Sequence, residues 1–196
     1  MDCNENIICN KKNIILKKEE ENTFSLNFKI TNNNIDISKI INMNLFILFH
    51  ELNKDLIEEA KILSTNNDNT NIQILYIFKQ FGHELGIPKK FMKLEIKQHN
   101  ENNNIYFRSK TPTYIETQPV NENFQKNLEK YEEIKSNYSN LNITNINTHS
   151  ADFEYLFNMD INEDLPIYME SLIGVLMKKI FINIKEFIEK IEYYNT

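Results

Sequence analysis

Arginine occurs once in this chain, at Arg108, and tryptophan not at all. Glycine is confined to Gly82, Gly86 and Gly174, and cysteine to Cys3 and Cys9. Each scarcity excludes something. Three isolated glycines cannot build a glycine-rich phosphate loop, whose cradle of backbone amides needs permissive dihedrals. Two cysteines near one end are too few for a disulfide framework or a closed zinc site, and read as reduced thiols. Neither lies in the context of a histidine-activated nucleophile, and no nucleophile elbow is present. The most apolar windows also fail as membrane spans. Residues 44–49 are too few, and 167–187 carry Glu170, Lys178, Lys179, Lys185 and Glu186. The first residues lack the basic and apolar regions of a signal peptide, and Asp2 excludes an N-myristoylation start.

What fills the chain instead is asparagine, 32 times, and isoleucine, 30 times, in 196 residues. Arginine, glycine and alanine have GC-rich codons, whereas asparagine, isoleucine, lysine, tyrosine and phenylalanine have AT-rich ones. The composition thus resembles that of proteins from AT-rich genomes, large cytoplasmic DNA viruses among them, in codon usage and not in any motif. The hydrophobic fraction is 41%, enough for a core. A net charge of −6 argues against wholesale non-specific nucleic-acid binding.

The patterning predicts an α+β fold: two short β-hairpins packed against a predominantly helical core, with a long C-terminal helix. Residues 1–12 read as a flexible tail and 13–196 as a single α+β domain. The first hairpin is 13–17 with 23–30, where Phe24, Leu26 and Phe28 alternate with Ser25, Asn27 and Lys29. Helical spacing of Ile41, Leu45, Leu48, Leu52, Leu56 and Ala60 predicts a helix over 38–63. A second helix follows over 71–85, with Gly86 as its C-cap and Pro88 beyond. The second hairpin pairs 91–98 with 105–109. Residues 111–120, with Pro112 and Pro119, read as an extended strap, and 122–135 as a polar helix with Phe124, Leu128 and Tyr131 on one stripe. The Asn-rich stretch 136–150 reads as a loop. Its two glycosylation sequons, at Asn137 and Asn142, are read as chance. Asp164 caps the last helix, which carries Pro166 in its first turn.

Candidate chemistry concentrates in the second hairpin. Lys89, Lys90, Lys93, Lys97, Arg108 and Lys110 crowd there with Tyr106, and Arg108 brings a bidentate guanidinium that lysine cannot imitate. These residues form an anion- or partner-binding ribbon if the register aligns them. The pairs His50–Glu51 and His83–Glu84 are adjacent and diverge on a helix, which disfavours a metal site. Asp160, Glu163 and Asp164 are explained by helix capping. No catalytic residue, cofactor or metal is expected. The resulting expectation is a non-enzymatic interaction or structural protein, a subunit or accessory factor, that binds another protein chain. The alternative is a nucleic-acid or anion-binding factor using hairpin 89–110. The expected location is the cytoplasm, or the virion of a virus.

Overall fold

A computed structural model describes residues 7–80, 88–113, 128–160 and 167–192. Ten strands and three helices occur there. In chain order they are β1 (Ile7–Lys11), β2 (Ile14–Glu20), β3 (Thr23–Thr31), α1 (Ile37–Ile40), α2 (Leu45–Glu51), β4 (Ile57–Thr65), β5 (Asn71–Phe78), β6 (Lys90–Glu101), β7 (Asn104–Lys110), β8 (Glu132–Glu133), β9 (Lys135–Thr144), β10 (Ser150–Asp160) and α3 (Ile167–Lys190). All strands join one sheet in the order β1-β2-β3-β10-β9-β7-β6-β5-β4, and the short β8 pairs in parallel with the start of β6. The expected predominantly helical core is overturned: the core is one face of a sheet.

The alternation of β3 and β10 shows how that face forms. Phe24, Leu26, Phe28 and Ile30 point one way, and their register partners Phe157, Tyr155, Phe153 and Ala151 point with them. The same face continues through Leu141 and Ile143 of β9, Phe107 of β7, Leu94 and Ile96 of β6, and Ile72, Ile74 and Tyr76 of β5. Register shifts after Ile7, Lys18, Ile57, Ile62 and Asn158 sharpen the local twist. Helix α3 lies against this face. Its buried stripe of Gly174, Lys178, Phe181 and Lys185 recurs at helical spacing, flanked by Ile180, Ile184 and Ile188. Phe181 sits at the centre, its ring centroid 4.7 Å from Tyr155, 5.2 Å from Phe49 and 5.7 Å from Phe28. These distances are those of packed aromatic pairs.

Several expected elements change identity. The helix over 38–63 is two short helices followed by strand β4, and the one over 71–85 is β5 as far as Phe78. Gly86 lies outside the described residues. The expected loop 136–150 is β9 and the turn into β10. Of the polar helix 122–135, residues 132–133 form β8, and 122–127 lie outside the described residues. Leu128 and Tyr131 pack instead against Leu63, Leu75, Ile77 and Phe91 on the opposite face of the sheet. Of the strap, only 111–113 are described. Residues 7–11, expected in the tail, form the edge strand β1. The cap at Asp164 and Pro166 lies outside the described residues.

Scarce glycine leaves a trace in the turns. Among the described residues seven non-glycine positions have positive φ, and six of them are asparagine: Asn13, Asn22, Asn69, Asn102, Asn103 and Asn145. Asparagine tolerates the left-handed region better than other residues with a Cβ. The hairpin tips Lys12-Asn13 and Asn102-Asn103 each have two successive positive φ values, which matches the twist of two-residue hairpins.

Candidate functional site

The helix-facing side of the sheet is apolar except at one end. There β7 ends, β9 begins and β10 ends, and four hydroxyl-bearing side chains point inward: Ser109, Ser136, Ser139 and Tyr155. Ser109 and Ser139 are register partners and their hydroxyl oxygens are hydrogen-bonded. The Ser139 hydroxyl also lies close enough to the Tyr155 phenol to favour its ionised form. Burial pushes the Tyr155 phenol up to about 12, and the neighbouring Ser139 hydroxyl offsets this only in part. Ser136 is fixed by its backbone. Its N–H donates to Thr111 Oγ1 at 2.7 Å, and its carbonyl accepts from Thr111 N at 2.9 Å. Its own hydroxyl is buried with no hydrogen-bond partner among the described residues. Leaving a buried hydroxyl unpaired costs about 1–3 kcal/mol. Met159, the register partner of Ser136, and Phe157, that of Ser139, supply apolar walls.

A second buried phenol, Tyr76, donates to the Phe46 carbonyl at 2.7 Å and so ties α2 to the sheet. Its burial raises its pKa well above the ordinary tyrosine range. The whole face is thus a packed apolar interior with a few buried polar groups gathered at one end. Among the described residues no three His, Cys, Asp or Glu side chains group so as to hold a metal ion. His50 contacts Glu51 at 3.2 Å and His149 contacts the Asn32 carbonyl at 3.3 Å, while His83 lies outside the described residues.

The basic ribbon lies on the other face. Register pairs Lys97 with Arg108 and Glu95 with Lys110, so Lys93, Lys97, Tyr106, Arg108 and Lys110 do share one side of β6 and β7. Four of the six basic side chains of the ribbon have carboxylate partners among the described residues. Lys89 pairs with Glu58 at 2.6 Å, Lys90 with Glu132, Lys93 with Glu133 at 3.9 Å and Lys97 with Glu95 at 3.2 Å. The Arg108 guanidinium lies 5.3 Å from the Tyr106 ring centroid and donates to Asn142 Oδ1 at 2.7 Å. The hydroxyl cluster was not singled out from the sequence, because 136–150 read as loop. The signal was available in 151–159, where Ala151, Phe153, Tyr155, Phe157 and Met159 alternate with mostly polar residues.

The long antiparallel sheet packed on a C-terminal helix is a fold this chain shares with solved lipid transfer domains. The chain superposes on the lipid transfer and protein localization domain of human StarD13 with a TM-score of 0.66 at 10% identity, covering 94% of this chain and 89% of that one. It matches human StAR-related lipid transfer protein 5 with a TM-score of 0.65 at 10% identity, over 96% and 88% of the two chains. A STAR-related lipid transfer protein from Xanthomonas axonopodis gives 0.62 at 9% identity, over 94% and 98%. No family model matches the sequence, and no curated protein matches it. The likeness is therefore one of fold. It overturns the expectation of an interaction or structural subunit, and equally the alternative of a nucleic-acid or anion-binding factor. The physical reason for the second correction is that neighbouring carboxylates offset four of the ribbon's lysines in a chain of net charge −6, which leaves little positive field.

Proposed function

We propose that this chain binds a lipid or a similarly amphipathic small molecule between the sheet and α3. The polar end of the ligand meets the hydroxyls of Ser136 and Ser139, and its apolar body lies along the aromatic face. The observation that carries this reading is the buried Ser136 hydroxyl, unpaired among the described residues, at the polar end of an otherwise apolar interior. The neighbours whose names describe lipid transfer support it through fold alone. The aromatic rings are the groups that a ligand displaces, since they fill the space between sheet and helix.

The test is titration of the purified chain with fluorescent analogues of cholesterol, phosphatidylcholine and a fatty acid. Saturable one-to-one binding of at least one probe, displaced by its unlabelled parent, is expected. Ser136→Ala should weaken that probe about fivefold, the equivalent of about 1 kcal/mol for one hydrogen bond. Absence of saturable binding across the panel, with the protein folded, would falsify the reading.

A further inference from the structure

Two lysines lie on the buried stripe of α3, and they are treated differently. Lys185 has the partners a buried ammonium needs, with Glu189 at 2.5 Å and the Lys29 carbonyl at 2.5 Å. Lys178 is only 2% exposed, yet no carboxylate comes within ion-pairing distance of it among the described residues. Its Nζ instead lies 3.3 Å from the Cys9 carbonyl and 3.0 Å from the Cys9 sulfur. Cys9 is the register partner of Leu16 on β2, so its thiol faces the helix, and it is half-buried, within reach of a small solute. A buried ammonium without a counter-charge is costly, and an apolar residue in its place would avoid that cost. What the lysine does place is a nitrogen in contact with sulfur.

We propose that Cys9 and Lys178 form an oxidant-responsive covalent latch that fastens edge strand β1 to α3. A hydroperoxide supplies the oxidising equivalent. The Cys9 sulfur attacks one peroxide oxygen, the O–O bond breaks, and the products are a sulfenic acid and water, or an alcohol from an organic peroxide. Lys178 loses its ammonium proton to solvent, and its nitrogen lone pair then attacks that sulfur. The S–OH bond breaks, and the hydroxyl leaves as water with a proton shed by the nitrogen. The S–N bond joins residues 169 positions apart. Two equivalents of an external thiol reverse it, returning the free amine and the Cys9 thiol with formation of one disulfide. Without Lys178 the sulfenic acid is exposed to further oxidation, to sulfinic acid.

The experiment uses the full chain carrying Cys3→Ser, which removes the competing thiol. After treatment with hydrogen peroxide and digestion without reductant, mass spectrometry should find the peptides of Cys9 and Lys178 joined. The joined pair should be two hydrogens lighter than its parts and should be released by dithiothreitol. In a Lys178→Met companion, of similar side-chain length, the joined species should vanish and Cys9 sulfinic acid should take its place. Recovery of unjoined Cys9 from oxidised Cys3→Ser protein would overturn the proposal. So would Cys9 joined to a different lysine. Neither result depends on whether the companion variant folds.

Discussion

At the scale of single residues the structure separates positions that look alike in the sequence. Gly174 stands in the middle of α3, where glycine costs about 1 kcal/mol relative to alanine. A Cβ there would lie 3.0 Å from Phe24 Cδ1 and 3.1 Å from Cε1, and the Phe24 ring is fully buried and stacked on Phe157. Seating the methyl group requires that packed ring to shift. Gly174→Ala should therefore lower stability by about 1 kcal/mol despite its better helix propensity, and chemical denaturation would show it. Tyr155 makes a pH prediction. Its folded-state pKa, about 12, lies above the ordinary value of 10.0, so its contribution is complete below pH 10 and fades as pH rises through 12. Stability measured by denaturant titration should fall steeply over that range, and Tyr155→Phe should flatten the fall. At the Lys12-Asn13 tip, Asn13 has φ 58°. Asn13→Gly should leave stability unchanged or raised, whereas Asn13→Val should lower it by about 1–2 kcal/mol.

At the scale of elements, the sequence makes the hairpins β2–β3 and β6–β7 and the C-terminal helix legible, and conceals much of the rest. Strand β4 mimics a helix because register shifts at both ends break its two-residue period, leaving Ile57, Ala60 and Leu63 at helical spacing. Strand β5 is buried on both faces, and a continuous apolar run has no period to read. Strand β9 hides behind its asparagines. Asn137, Asn140 and Asn142 occupy positions that alternate with buried Ser139, Leu141 and Ile143, so residues that usually mark turns here occupy the outer face of a strand. In a chain with 32 asparagines that residue no longer separates turn from strand. The hydroxyl site was missed with the strand that holds half of it. Asn53 shows the opposite case, one asparagine with a structural task. Fully buried, it donates to the Phe49 carbonyl at 2.8 Å and accepts from Asn183 Nδ2 at 2.8 Å, joining α2, β4 and α3. Asn53→Leu keeps the branched shape but adds bulk, leaves the Phe49 carbonyl without this donor and leaves Asn183 Nδ2 only its bond to the Leu52 carbonyl, and should cost about 2–4 kcal/mol in thermal or chemical unfolding.

At the scale of the molecule, the sheet and α3 form one apolar interior, and its fold places the chain beside lipid-transfer domains although hardly one residue in ten is shared. Identity at that level carries the alternation of buried and exposed positions and little else, which is why the fold could not be read from motifs. A bound lipid should stabilise the whole unit. At a free concentration one hundred times the dissociation constant, unfolding should shift by about 2.7 kcal/mol, readable as a rise in Tm that scales with the logarithm of ligand concentration. No helix among the described residues is long and apolar enough to cross a membrane. The left-handed asparagines have one more consequence, and it concerns chemical ageing. An asparagine deamidates when the next residue's backbone nitrogen attacks its side chain, and a following glycine leaves that path open. None of the 32 asparagines here precedes a glycine. By building its tips from Lys-Asn and Asn-Asn, the chain obtains hairpin geometry without the Asn-Gly pair that usually supplies it. Its turns should therefore outlast those of an ordinary Asn-Gly hairpin protein during prolonged incubation at mild alkaline pH.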